Sequence, residues 1–159
     1  MSNVKKVTIY TDGGCSPNPG PGGYGIVLIY GENRRELSGG YRQTTNNRME
    51  LTAAIRGLEA LKEPCDVTLF SDSQYVVNGI TKGWARRWKS KGWVKSDKQP
   101  AENIDLWDSL LSLCETHKVR FEWIRGHNGH PENECCDRLA GDALRRRDLP
   151  SDTMYQRNS

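Results

Sequence analysis

Long apolar runs are missing. The longest in these 159 residues, Ile26–Tyr30, is five residues, whereas a membrane-spanning helix needs about twenty. Cysteine pairs at C-x-x-C spacing are missing too: the five cysteines stand at 15, 65, 114, 135 and 136. An odd set without zinc-ribbon or redox spacing reads as free thiols in a reducing compartment, and a bridge between adjacent Cys135 and Cys136 would be strained. No secretory leader fits, because Lys5-Lys6 is followed by only Val7-Thr8-Ile9-Tyr10 before Asp12. Low-complexity and solenoid repeats are absent. Apolar residues make up 35% and charged residues 27%, near the globular norm, so fibrous and disordered classes are excluded. The expectation is a soluble, cytoplasmic, monomeric chain with one domain over residues 1–149 and a polar, flexible tail over 150–159.

The net charge of +3 is uninformative until it is located. Residues 79–98 hold seven cationic side chains against Asp97 alone, a local +6 that leaves the rest of the chain at −3. Trp84, Trp88 and Trp93 lie in the same stretch. The plain alternative is a solvated helical face whose tryptophans are core residues. Trp84 and Trp88 are four apart and would share a face with Arg87 and Lys91, which points to a polyanion-binding segment.

Periodicity predicts strands at 4–12, 24–30 and about 34–42 as an antiparallel meander, with a Gly/Pro-rich loop over 13–23. A helix from an Asn46 cap to about Lys62 buries Leu51, Ala54, Ile55, Leu58 and Leu61. A strand at 67–72 follows, then helices capped by Ser73, after Gly83, and by Asn103. The helix from Asn103 turns Leu106, Leu110, Leu113 and Cys114 inward. A strand at 119–124 and a helix at about 132–147 complete an α/β domain with a mixed sheet.

Val7-Thr8-Ile9-Tyr10-Thr11-Asp12 resembles Val67-Thr68-Leu69-Phe70-Ser71-Asp72. Both segments read as central strands ending on Asp. Taken singly, each Asp would be a cap for the element that follows. If the two strands are parallel neighbours, both carboxylates emerge together at their carboxyl ends, where α/β sheets place ligands. Two close carboxylates repel unless a cation holds both charged. An oxygen-only ligand set points to Mg²⁺ or Mn²⁺. Glu50, placed in the first turn of its helix, and Asp137, near the start of the last helix, can join them, although either would also suit as a plain helix-start acid.

His127 lies in the loop Gly126-His127-Asn128-Gly129-His130-Pro131 beside this acidic set, where a mobile proton carrier is useful. A zinc site of His127, His130, Cys135 and Cys136 is disfavoured, because adjacent helical cysteines point about 100° apart. The loop after Asp12 lacks the Gly-Lys-Ser/Thr of a Walker loop. It reads first as a plain connection, and its functional reading is close approach of backbone to a sugar-phosphate chain.

Tyr10-Thr11-Asp12-Gly13 with its Gly/Pro loop, Thr45-Asn46-Asn47-Arg48-Met49-Glu50, Ser71-Asp72-Ser73-Gln74-Tyr75, and Gly126 through Asp137 resemble bacterial ribonuclease H, type 1. The resemblance covers about residues 5–147 in order. It implies a ribonuclease H-like α/β fold: a five-stranded mixed sheet, the antiparallel meander plus parallel strands, with helices on both faces. It implies endonucleolytic hydrolysis of the RNA strand of RNA–DNA hybrids, leaving 3′-hydroxyl and 5′-phosphate ends. Asp12, Glu50, Asp72 and Asp137 would hold two Mg²⁺ ions, with Mn²⁺ able to substitute, and His127 would move protons or aid product release. Cys15 (through its backbone), Asn18, Asn46 and Gln74 would read RNA sugars. Thr45 and Asn103 would hold a DNA-strand phosphate. Residues 79–98 resemble the family's basic protrusion, gripping DNA through Trp84, Trp88, Lys89 and Lys91. No membrane and no obligate protein partner are implied. Gln43 stands where an arginine often supports the phosphate pocket, and Lys82-Gly83-Trp84 carries one extra residue. The rivals are a related metal nuclease acting on DNA, which would not keep the Asn/Gln set, and a non-catalytic hybrid or duplex binder, which would tolerate loss of an acid.

Overall fold

The three-dimensional structure is a computed structural model that describes residues 4–126 and 129–157. Three long antiparallel strands come first, β1 (Lys5–Cys15), β2 (Gly20–Tyr30) and β3 (Asn33–Thr44). Helix α1 (Asn46–Glu59) leads to β4 (Cys65–Ser71), and α2 (Gln74–Thr81), α3 (Trp84–Ser90) and α4 (Ile104–Thr116) lead to β5 (Lys118–Trp123). Helices α5 (Pro131–Leu144) and α6 (Thr153–Arg157) follow. The sheet order is β3-β2-β1-β4-β5, with β1, β4 and β5 parallel. This is the expected five-stranded mixed sheet. Among the described residues, no helix is long and apolar enough to cross a membrane.

Alternation on the central strands builds two cores. Ile9, Ile26, Val67 and Leu69 pack with Leu51 and Leu58 of α1 and with Trp107 and Leu110 of α4. On the opposite face, Val27 packs with Cys135 and Cys136 of α5, flanked by Tyr10 and Leu139. Successive strand residues point to opposite faces, so one sheet feeds both layers.

The glycine-rich stretch differs from the expected loop. Strand pairing continues through Gly13↔Tyr24, Gly14↔Gly23 and Cys15↔Gly22, leaving only residues 16–19 between β1 and β2. The reason is packing. A Cβ on Gly23 would lie 2.2 Å from the Ala140 carbonyl oxygen, and one on Gly25 would lie 2.2 Å from that of Cys136. These glycines let α5 rest on bare backbone.

Several boundaries also move. The α1 cap is Thr45, whose extended backbone lets its hydroxyl accept from Arg48 N at 3.2 Å. The Asn46 side chain is engaged elsewhere. The helix ends at Glu59, before Lys62, where the Ala60 N–H closes on the Arg56 carbonyl. In α4 the buried residues are Trp107, Leu110 and Leu111, while Leu106, Leu113 and Cys114 are only partly covered. Trp107 reaches inward because Gly79 leaves it room: a Cβ there would lie 2.1 Å from the indole ring.

The tail expected to be flexible is docked as far as α6. Leu149 and Asp152 are buried, and Arg42 N donates to the Pro150 carbonyl at 2.9 Å. Asp152 accepts from Thr44 Oγ1 and Arg48 Nε, each at 2.7 Å. A buried arginine needs carboxylate partners, and the tail supplies one.

Candidate active site

The β1–β4 register sets Thr11 opposite Ser71, so Asp12 and Asp72 emerge as neighbours. The strands do not both end there: β1 runs on to Cys15, and Asp72 is the first residue after β4. Glu50 is the fifth residue of α1, beyond its first turn, so dipole stabilisation does not account for it. It arrives by close packing. A Cβ on Gly13 would sit 2.5 Å from the Met49 carbonyl and 2.8 Å from Glu50 N, so only bare backbone lets α1 approach β1 here.

One carboxylate oxygen from each of Asp12, Glu50 and Asp72 falls within a set no wider than 4.8 Å. Asp137 lies outside that trio but lines a cleft of about 550 Å³ with Asp12 and Asp72. Its charge adds to that of Asp72 in acting on Asp12. Its position follows from the glycine packing: Gly25 pairs with Asp12, and Gly25 lies against Cys136, the residue before Asp137.

Crowding changes the chemistry of these acids. Burial, then the charge of Asp72, then Asp137 push Asp12 up to about 8, against a 3.0 Å hydrogen bond from Gly13 N. Burial, then Asp12 and Asp72, raise Glu50 well above the carboxylate range. Glu50 Oε1 is enclosed and has no hydrogen-bond partner among the described residues. An orphaned oxygen on a buried carboxylate beside other carboxylates costs free energy unless a cation meets it. The donor set is all oxygen, which fits a hard divalent metal.

Gly126 supports the cluster from the far side. A Cβ there would lie 2.6 Å from Asp72 Oδ2, so the loop backbone sits against that carboxylate. His127 lies outside the described residues.

The expected RNA-reading residues Cys15, Asn18 and Asn46 form one unit. Cys15 N donates to Asn46 Oδ1 at 2.6 Å, and Asn46 N donates to Asn18 Oδ1 at 3.1 Å. Burial pushes the Cys15 thiol up to about 11, which makes it a poor nucleophile. Gln74 is exposed at the start of α2.

Thr45 and Asn103 cap α1 and α4 and line a shared groove. Arg48 joins them: Nη1 donates to Asn103 Oδ1 at 3.3 Å and to Asp105 at 3.0 Å. Arg42 is drawn to Ser151 in the tail and does not line this groove.

Trp84, Arg87, Trp88 and Lys91 line a second groove on α3. Trp88 also anchors the protrusion, edge-on to Trp107 with centroids 6.0 Å apart. Lys89 points to α4 and pairs with Asp108 at 2.8 Å.

The sequence model of the RNase H family matches residues 4–145. A ribonuclease H of Desulforamulus reducens is 60% identical over 151 residues, 95% of each chain. The chain belongs to the RNase H family. A ribonuclease HI of Synechocystis sp. is 56% identical over 140 residues, 87% of this chain and 88% of its own. Among solved structures, LC9-RNase H1, a type 1 RNase H with the type 2 active-site motif, superposes with TM-score 0.80 at 31% identity, covering 91% of this chain and 74% of that one. LC11-RNase H1, solved in complex with an RNA/DNA hybrid, gives TM-score 0.66 at 26% identity, covering 87% and 96%.

Sequence reasoning missed the glycines that set the site, Gly13, Gly25 and Gly126. A glycine signals freedom from a side chain but not which neighbour uses the space.

Proposed function

We propose that this RNase H-family chain hydrolyses the RNA strand of RNA–DNA hybrids at the cleft of Asp12, Glu50, Asp72 and Asp137, leaving 3′-hydroxyl and 5′-phosphate ends. The observation that carries the reading is the convergence of Asp12, Glu50 and Asp72 within 4.8 Å, with one enclosed Glu50 oxygen unpartnered among the described residues. The four carboxylates would hold two Mg²⁺ ions, or Mn²⁺ in their place. When bound, such a pair supplies an activated water and stabilises charge on the attacked phosphate and the leaving oxygen.

The chain's own groups do the rest. Gly13 N and the α1 backbone fix Asp12 and Glu50, and Gly126 fixes Asp72. His127, one residue beyond Gly126, would carry protons between cleft and solvent. Only the 2′-hydroxyl distinguishes RNA sugars from DNA sugars. The linked amides of Asn18 and Asn46, the Cys15 backbone and the Gln74 side chain are suited to read it, because amides both donate and accept. Thr45 and Asn103 would take a DNA-strand phosphate, and the groove of Trp84, Trp88 and Lys91 a more distant part of that strand. Five free thiols support a cytoplasmic setting. The chain is read as a monomer, which sedimentation would check.

The test is a gel assay in Mg²⁺ with four end-labelled duplexes: RNA–DNA, RNA–RNA, DNA–DNA, and DNA with one ribonucleotide. Cutting of the hybrid's RNA strand alone supports the reading. Hybrid binding without cutting of any duplex, or cutting of DNA–DNA, contradicts it.

A further inference from the structure

The groove that holds Thr45 and Asn103 has a wall from the far end of the chain. It measures about 810 Å³, and Tyr155 of α6 lines it together with Asn18, Asn46, Glu102 and the two cap residues. Tyr155 is half-buried. Its backbone N–H donates to Asp152 Oδ1 at 3.4 Å, so Asp152 caps the short helix that carries it.

Asp152 is also the hub that fixes this segment to the groove. Its carboxylate accepts from Thr44 Oγ1 at 2.7 Å, beside Thr45, and from Arg48 Nε and Nη2 at 2.7 and 3.1 Å. The remaining face of Arg48 meets Asp105 at 2.7 Å and Asn103 at 3.3 Å. One buried guanidinium thus ties α1, the α4 start and the tail together. With two carboxylates on it, its charge is already neutralised, and the groove must hold an anion with neutral donors. Beside the Thr45 hydroxyl and the Asn103 amide, Tyr155 adds a phenol that can donate, on a ring that can pack against a sugar.

We infer that Tyr155 is a substrate-binding residue of the nucleic-acid groove, contacting the DNA-strand sugar-phosphate held by Thr45 and Asn103, and that Asp152 is its positioning residue. The inference rests on the hybrid-cutting function proposed above. The tail is then a part of the binding site that closes only when residues 150–157 dock.

The experiment compares full-length wild type, Tyr155→Ala, Tyr155→Phe, Asp152→Asn and Thr45→Ala. It measures KM and kcat on a hybrid, melting temperature, and hybrid Kd in EDTA. The hybrids carry single methylphosphonates, each neutralising one DNA-strand phosphate. Tyr155→Ala is expected to raise KM and Kd about five- to tenfold, the scale of one hydrogen bond and a ring contact, with kcat within about twofold. Tyr155→Phe separates ring from hydroxyl and should lie between. The methylphosphonate that penalises wild type but not Thr45→Ala should also lose its penalty in Tyr155→Ala and Asp152→Asn, and those elsewhere should keep theirs. A merely structural role would lower melting temperature and leave this position-specific pattern untouched. Unchanged KM and Kd in Tyr155→Ala, or an unchanged methylphosphonate profile, overturns the inference. If wild type binds hybrid without cutting it, the proposed activity fails on its own, and the Kd series still decides the role of Tyr155.

Discussion

Without metal, the acid cluster should make the protein less stable as pH rises from 5 to 7. Asp12 ionises near 3.8 in an ordinary setting and at about 8 in the folded chain. Between these values the folded chain holds a proton that the unfolded chain has lost. The stability this gives is fully present below about 3.8 and is lost as pH rises through about 8. One proton is worth about 1.4 kcal/mol per pH unit, so Asp12 alone removes about 3 kcal/mol of stability between pH 5 and 7. Asp105, held low in the folded state with Arg48, is ionised in both states over that window and is silent. His117, lowered by burial, works the other way near its ordinary value of 6.5. Its effect is common to wild type and Asp12→Asn and cancels in their difference. Urea unfolding in EDTA at pH 5, 6 and 7, followed by tryptophan fluorescence, should show the variant gaining on wild type from pH 5 to 7 by at least the Asp12 share, because removing that charge also relieves Glu50. Saturating Mg²⁺ should flatten the wild-type slope, because a cation holds the carboxylates charged. A wild-type-minus-variant difference independent of pH would mean that Asp12 ionises in the folded chain as it does in the unfolded one.

Gly126→Ala should push Asp72 Oδ2 from its place and lower kcat by about 10²-fold while the melting temperature stays close to wild type; full activity would show that Asp72 has room to move. Lys91→Ala should weaken hybrid binding and reduce the salt slope by about one unit, whereas Lys89→Ala should change it less, because Lys89 already pairs with Asp108; equal effects in a salt titration would contradict the structure. Gly79→Ala puts a methyl into the Trp107 ring and should cost about 1–3 kcal/mol in denaturant unfolding; no loss would mean that Trp107 repacks freely.

Much of the site was legible in two look-alike strands. Val7–Asp12 and Val67–Asp72 share a pattern because both are central, and parallel register then sets their carboxylates side by side. Glu50 was legible as an acid beside a buried stripe, but its turn was misjudged because Thr45, not Asn46, caps α1. Gly23 read as a turn residue because local sequence does not reveal that α5 packs over it. The tail read as flexible because its anchors, Arg42, Thr44 and the buried Arg48, lie about a hundred positions away, and no periodicity connects them to Pro150 and Asp152. Composition also hid the different fates of Lys89 and Lys91, which diverge only once α3 lies against α4.

The most direct test of the central claim is to measure cleavage and binding of one RNA–DNA hybrid side by side for wild type and Asp12→Asn in Mg²⁺. If the carboxylates serve as the metal centre of a hydrolase, the variant keeps hybrid affinity within about threefold and loses cleavage by about 10³-fold or more. Cleavage near the wild-type rate by Asp12→Asn, or loss of binding in step with cleavage, would contradict the account.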